Sequence, residues 1–197
     1  EFLFPYAHTP AEVVAKVNEA IAIDPSRTET YLSLSRYYMS REKPPEAEAA
    51  IQNGIAANPN GAIGYIEYGR FLTYASRNAE AETQFNKAIA AEPANIEAHE
   101  SIADFFVTTK QNDKAEVEYK NLVAIQENSP ESRLVLAEFY AAANRQSEAV
   151  AVLSTIVADT PDYVRARYRL GQIYLDQKDI AKVSEQLEAL FKINDND

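Results

Sequence analysis

Apolar residues recur along this chain at intervals of three and four, the spacing that places side chains on one face of an α-helix. The stretch from Tyr65 to Pro93 contains two such segments, joined by a short polar turn and closed by a proline. Segments of the same kind follow one another along nearly the whole sequence. This pattern predicts pairs of short antiparallel helices.

The pairs repeat every 34 residues. Pro25, Pro59, Pro93 and Pro161 stand at this period, and Glu127 takes the position between the last two. Twelve residues before these marks, and before the next one, Asp195, lies a short side chain: Val13, Ala47, Ala81, Ala115, Ala149 and Val183. The first helix of each pair carries a small residue at one position: Ser35, Gly69, Ala103, Ala137 and Gly171. A glycine inside a helix costs about 1 kcal/mol relative to alanine, so we expect close packing at Gly69 and Gly171.

This arrangement resembles the tetratricopeptide repeat, which has a 34-residue period, small residues at the eighth and twentieth positions, and a closing proline. The resemblance implies an all-α fold, a right-handed α-α superhelix (solenoid) of about eleven antiparallel helices. We expect an extended tail at residues 1–9 and one solenoid at 10–197, made of a half repeat at 10–27 and repeats at 28–61, 62–95, 96–129, 130–163 and 164–197.

The family's usual tryptophan, at the fourth position of the repeat, is missing from every repeat of this chain. Its position is occupied by Tyr31, Tyr65, His99, Arg133 and Arg167. The two arginines predict looser packing of that corner in the last two repeats. Where Glu127 replaces the closing proline, we expect Pro130 to prevent a continuous helix across the junction.

Composition and net charge limit the kinds of partner and location that the sequence predicts. Of the 197 residues, 46% are hydrophobic and 25% are charged, as in ordinary folded proteins. The net charge of −11 opposes binding to nucleic acid and to anionic membranes. No apolar run approaches the roughly 18 residues of a membrane helix, so we predict no direct membrane insertion. The absence of cysteine is compatible with a cytoplasmic or a periplasmic location.

Residues suited to catalysis are scarce. The two histidines are His8, in the aperiodic tail, and His99, at a packing position. Carboxylate pairs such as Glu80 and Glu82, or Glu116 and Glu118, lie two residues apart on a helix, so we interpret them as solvated surface. There is no glycine-rich phosphate loop with a lysine partner. We predict no enzymatic activity, no cofactor and no metal.

The resemblance places the binding surface in a concave groove, formed by the second, fifth, ninth, twelfth and thirteenth positions of each repeat. The candidate groove residues are Leu32, Arg36, Ile66, Arg70, Tyr74, Glu97, Glu100, Asp104, Glu138 and Tyr168. The fifth and ninth positions lack the lysine, asparagine and arginine set with which one branch of the family clamps a chaperone's terminal carboxylate. The acidic middle, Glu97, Glu100 and Asp104, instead predicts a protein or peptide partner with a basic patch.

These observations predict a noncatalytic protein–protein interaction scaffold that holds a partner segment in its groove. We expect anchors at Leu32, Ile66, Tyr74 and Tyr168. By analogy of fold alone, the alanine-rich repeats are similar to bacterial arrays that act in assembly or secretion systems. Two alternatives remain open. One is a regulatory or docking module cut from a larger multidomain enzyme, and the other is an array that self-associates through ends that we expect to be uncapped.

Overall fold

The computed structural model describes residues 9–194, so the predicted tail lies outside it except for Thr9. The described residues form α-helices and no strand, which confirms the all-α fold. The helices are α1 (Pro10–Ile23), α2 (Thr28–Met39), α3 (Pro44–Ala57), α4 (Ala62–Tyr74), α5 (Asn78–Ala91), α6 (Ile96–Thr108), α7 (Asn112–Ile125), α8 (Pro130–Ala142), α9 (Gln146–Asp159), α10 (Val164–Asp176) and α11 (Ile180–Asn194).

Helix starts follow the 34-residue period. The first helices of successive repeats, α2, α4, α6, α8 and α10, begin at the first residue of the predicted repeats. The second helices begin sixteen residues later in each case, from Pro44 to Ile180. Proline suits the start of α3 and α8, because the N–H group that it lacks would have no hydrogen-bond partner within the first turn of a helix.

The chain divides into two compact units, the first ending at Phe105 and the second beginning at Phe106, within α6. In the first unit α1 packs on α2, α2 on α3 and α4, and α4 on α3 and α5. In the second unit α8 packs on α7 and α9, and α10 on α9 and α11. These helices therefore pack on near neighbours in the sequence, as in repeat proteins. A single domain over 10–197 stays a prediction.

Every hairpin turns through a residue in the left-handed conformation. Its φ lies between 56° and 61°, and the residues are Glu42, Ser76, Lys110, Asn144 and Lys178. The next N–H group donates to a carbonyl five residues earlier, as from Arg77 to Leu72 and from Arg145 to Tyr140, both at 2.8 Å. This 6→1 hydrogen bond is the Schellman closure of a helix end. The turn geometry is thus the same in all five repeats although none contains glycine at this position.

Four of the five residues that replace the family's tryptophan make the same hydrogen bond. Each donates to the carbonyl oxygen of the closing proline six residues earlier, at 2.6–3.1 Å: Tyr31, Tyr65, His99 (through Nε2) and Arg167. Arg167 thus makes the same hydrogen bond as the aromatic residues, while the looser packing of its corner stays a prediction. Arg133 has no closing proline before it and instead pairs with Asp159 at 2.6 Å.

The repeat junction without a proline breaks the helix by another route. α7 ends at Ile125, and both Glu127 and Asn128 adopt the left-handed conformation, with φ of 52° and 58°. Ser129 caps α8 by accepting the N–H of Ser132 at 3.2 Å, and α8 begins at Pro130. The expected interruption between the two helices is confirmed.

Two glycines at equivalent positions have different surroundings. A Cβ atom on Gly69 would lie 2.6 Å from the ring of Phe85, which is fully buried. A Cβ atom on Gly171 would come no closer than 3.8 Å to any other side chain, its neighbour there being Gln186. Close packing therefore explains Gly69, whereas the same explanation for Gly171 is wrong.

Replacing each glycine with alanine tests this difference. Gly69→Ala should lower the free energy of unfolding by about 1–3 kcal/mol, because the Phe85 ring must move within a packed core. Gly171→Ala should raise it by up to about 1 kcal/mol, because alanine is the better helix former and finds room. Urea unfolding followed by circular dichroism measures both. Shifts of the same sign would contradict the assignment of packing to Gly69 alone.

Candidate functional site

The groove residues predicted in the first unit fall into two groups by burial. Leu32 and Ile66 are 3% and 0% exposed and belong to the core. Ile66 packs in a cluster with Ala62, Ala88 and Ala98. These two side chains therefore hold neighbouring helices together and offer no surface to a partner. Tyr74, at 78% exposed, is the accessible one of the three predicted apolar anchors of this unit.

Arg70 is engaged within the first unit. Its guanidinium donates to Glu67 at 2.7 Å and to Glu97 at 3.0 Å, and also to the hydroxyl of Ser101 at 2.9 Å. The arginine thus joins α4 to α6. Arg36, on α2, is exposed and donates to Ser33 at 3.3 Å.

The acidic side chains of α6 lie on one helix face. Glu97, Glu100 and Asp104 are spaced by three and four residues, and all three are exposed. Glu97 is balanced by Arg70. The three carboxylates together make this face acidic.

In the second unit the structure brings Glu138 and Tyr168 together. They line a cavity of about 200 Å³ between α8 and α10, together with Leu134, Arg165, Arg169 and Gln172. Tyr168 is 60% exposed, whereas Leu134 is buried. Arg169, at the sixth position of its repeat, was not among the predicted groove residues. Its spacing of four from Arg165 on one helix is the signal that places both on the same face.

Outside the predicted groove, a cluster of polar side chains joins two repeats of the first unit. Glu48 of α3 accepts hydrogen bonds from Tyr68 of α4 at 2.6 Å and from Arg77 at 2.7 Å. Gln52 donates to the same tyrosine, and Arg77 also pairs with Glu80 at 2.7 Å. Bonds to Glu80 and Glu48 raise the pKa of Arg77.

The same cluster recurs in the second unit. Glu116 of α7 accepts from Tyr140 of α8 at 2.9 Å, from Lys120 at 2.6 Å and from Arg145. Arg145 also pairs with Glu148 at 2.9 Å and lies over the Tyr140 ring. The bonds from Arg145 and Lys120 lower the pKa of Glu116 to about 2. Glu116 is only 17% exposed, so its interpretation as solvated surface is wrong.

These clusters contain the most perturbed pKa values, which often mark active sites. Here the perturbation has a structural cause, because each carboxylate bridges a second helix to the following repeat. The arginine stands directly after the left-handed turn residue, 29 positions after the glutamate it contacts in both units. This recurrent spacing of glutamate and arginine is a sequence signal for the contact that the helix periodicity alone does not give.

Residues 9–194 contain neither a metal-ligand cluster nor a membrane-spanning helix. Among these residues, no three acidic or histidine side chains converge in a way that would hold a metal ion. No helix in the same range has the length and hydropathy required to cross a membrane.

Comparison with known proteins identifies the repeat. The family model for the tetratricopeptide repeat protein 21 ARM repeat matches residues 59–182, more than half of the chain. The chain belongs to this tetratricopeptide repeat family. No curated protein sequence matches the chain significantly.

Solved structures share the fold at low sequence identity. PilF of Pseudomonas aeruginosa has a TM-score of 0.61 at 15% identity, over 95% of this chain and 90% of that one. YrrB, described as a TPR protein with an unusual peptide-binding site, has a TM-score of 0.56 at 20% identity, over 90% and 91%. PilW, described as a widely conserved type IV pilus biogenesis factor, has a TM-score of 0.57 at 18% identity, over 94% and 83%.

The Glu116 cluster predicts a pH-dependent contribution to stability. Because its folded pKa of about 2 lies below the ordinary value, the contribution is complete above about pH 5 and is lost as the pH falls through about 2. Glu116→Gln should lower the free energy of unfolding by about 1–2 kcal/mol at pH 7, and the difference from the unmodified chain should vanish toward pH 2.

Urea titrations at several pH values measure this difference. Glu188→Gln, on the exposed surface of α11, is the matched control and should leave stability nearly unchanged at every pH. A difference for Glu116→Gln that stays constant from pH 7 to pH 2 would contradict the role of the carboxylate charge.

Proposed function

We propose that this tetratricopeptide repeat chain is a noncatalytic protein–protein interaction scaffold that binds a partner segment along its first helices. The observation that carries the proposal is the exposure of large aromatic side chains at predicted inward positions. Tyr74 and Tyr168 are 78% and 60% exposed, whereas the other aromatic side chains within residues 9–194, apart from Phe191, are buried or partly buried. Exposed aromatic rings on rigid helices are typical anchors of protein interfaces.

The relatives support the same class of function. YrrB is described with a peptide-binding site and PilW as a pilus biogenesis factor. We extend this to a role in a bacterial assembly or secretion system. A role as the docking module of a larger enzyme stays an alternative.

The surface of α6 favours a partner with a basic patch. Glu100 and Asp104 are exposed one turn apart, and Tyr74 provides an accessible ring in the same unit. Opposite charges at such a surface speed association and orient the partner, while the aromatic contact supplies affinity. Glu97, on the same face, is paired with Arg70, which also pairs with Glu67.

A second candidate function is self-association through the α10/α11 face. Leu153 and Ile156 of α9 are fully buried, and α10 packs on α9. The equivalent of Leu153 one repeat later, Leu187, is 48% exposed, and Phe191 is 67% exposed. Together with Leu175 and Val183 on this face, Leu187 lines a groove of about 310 Å³. We propose a second copy of the chain as its occupant, since an apolar face of this kind is stabilised by burial.

Charge reversal on α6 tests the scaffold proposal. The variant Glu100→Lys/Asp104→Lys should bind a fluorescent peptide of alternating lysine and leucine about five- to tenfold more weakly, because two attractive pairs become repulsive. Fluorescence anisotropy at two salt concentrations measures the affinity. Glu185→Lys/Glu188→Lys on α11 makes the same change in net charge away from the first helices. An equal loss of peptide affinity in both variants would show that the affinity depends only on the net charge of the chain.

Surface substitution on α11 tests the self-association proposal. The unmodified chain should show a mass that rises with concentration, and Leu187→Glu/Phe191→Glu should remain monomeric, because two charges cannot be buried in an apolar contact. Size-exclusion chromatography with light scattering measures this. Val117→Glu, at another exposed apolar position, is the control. A strictly monomeric unmodified chain would end the proposal.

A further inference from the structure

The sequence contains two asparagine–glycine pairs, and the structure places them in different surroundings. Asn53 and Gly54 lie inside α3, whereas Asn60 and Gly61 lie in the turn that joins α3 to α4. Asparagine is a labile residue, and most of all before glycine, because the unhindered glycine nitrogen can approach the side-chain amide carbon. The same dipeptide thus occurs once within a regular helix and once outside it, and both copies belong to the first unit.

The turn leaves Asn60 accessible to this reaction. The residue is exposed, lies outside both helices and follows Pro59. The N–H of Gly61 donates to the carbonyl oxygen of Asn58 at 3.3 Å, which is long for a hydrogen bond of this kind. Loss of this bond frees the glycine nitrogen without breaking a hydrogen bond inside α3 or α4. Asn58 itself cannot react in this way, because Pro59 has no N–H group.

The helix protects Asn53 from the same reaction. Its side chain is exposed, but its backbone lies in the middle of α3. Gly54 is buried, and its carbonyl oxygen accepts the hydroxyl of Thr28 at 3.3 Å and the N–H of Asn58 at 3.2 Å. Ring closure would rotate the peptide unit between Asn53 and Gly54 out of the helix, and these bonds hold it there. The reaction at Asn53 therefore requires local opening of α3.

We infer that Asn60 is a site of spontaneous deamidation, whereas Asn53 keeps its amide in the folded chain. The nitrogen of Gly61 loses its proton and attacks Cγ of Asn60. A carbon–nitrogen bond forms, and the side-chain amide group leaves with that proton as ammonia. Water then opens the cyclic imide at the side-chain carbonyl to give aspartate, or at the main-chain carbonyl to give isoaspartate. Either product carries a negative charge at neutral pH, and the reaction needs only water.

The modification changes the start of α4, the helix that carries Tyr74. Glu92 already accepts the N–H of Ala62, the first residue of α4, at 2.8 Å, and this bond together with one from Asn95 lowers the pKa of Glu92. In the aspartyl product, attraction of the new carboxylate to the helix start opposes its repulsion from Glu92, so we expect little net change. The isoaspartyl product also inserts a carbon atom into the main chain before Gly61, the N-cap of α4, and should loosen the contact between α3 and α4.

Incubation of the whole chain at mildly alkaline pH tests the inference. Electron-transfer fragmentation of its peptides in a mass spectrometer distinguishes asparagine, aspartate and isoaspartate at both positions. Asn60 should convert at least about tenfold faster than Asn53 in the folded chain, and the two rates should become similar when guanidinium unfolds the chain. Equal rates in the folded chain would overturn the inference. A tenfold difference that persists in guanidinium would also overturn it, because the protection of Asn53 would then not come from the helix.

Variants assign the released ammonia to one position. Asn60→Gln should remove most of the ammonia that the folded chain releases, because a longer side chain closes the ring more slowly. Asn53→Gln makes the same change within α3 and is the matched control, which should leave the release unchanged. Ammonia release that persists in Asn60→Gln would contradict the assignment. Far-ultraviolet circular dichroism should be the same for both variants, which shows that neither change acts by unfolding the chain.

The effect on the helix start is measured on the separated products. The isoaspartyl form, isolated by ion exchange, should unfold at a lower urea concentration than the unmodified chain. Asn60→Asp reproduces the aspartyl product and should unfold at nearly the same concentration as the unmodified chain. An isoaspartyl form with an unchanged midpoint would contradict the loosening of the contact between α3 and α4. The reaction needs no partner, so these results are independent of the proposed scaffold function.

Discussion

Burial of one apolar stripe on each second helix is the interaction on which the repeats depend. Ala47, Ala81, Ala115 and Ala149 are fully buried at the same position of four successive repeats. Within a unit the stripe is covered partly by the first helix of its own hairpin and partly by the next repeat, as where α3 packs on α2 and α4 and α9 packs on α8 and α10. Where the described residues provide no further repeat, on α11, the equivalent leucine stays half exposed. Stability is therefore shared between neighbours, and no hairpin reaches it alone.

The turn within a hairpin can position an arginine for an ion pair with the preceding repeat. A left-handed residue closes the first helix, and the next residue begins the approach to the second. In two repeats that next residue is an arginine, Arg77 or Arg145, which reaches the glutamate of the preceding repeat. A tyrosine hydroxyl completes each cluster. The ion pairs thus fix how one repeat lies on another within its unit, and their perturbed pKa values reflect that structural role.

The same packing decides which groove residues remain for a partner. Leu32 and Ile66 are buried in the core, and Arg70 forms ion pairs with Glu67 and Glu97. Tyr74 and the acidic face of α6 remain accessible in the first unit. In the second unit Tyr168 and two arginines remain around a small cavity. The proposed scaffold function therefore depends on the few side chains that packing leaves accessible.

The sequence alone determined the helical hairpins, their 34-residue register and the family, because side-chain periodicity and proline placement act locally and repeat five times. It also predicted Tyr74, Tyr168 and the acidic face of α6 as groove positions, and these side chains are exposed in the structure. Only the tertiary structure decided that Gly171 has free space and that Glu116 is enclosed by Arg145 and Tyr140. It also decided that Arg167 donates the hydrogen bond to the closing proline that an aromatic side chain donates in other repeats. These outcomes depend on distances between side chains in different helices, which a pattern along one helix does not contain.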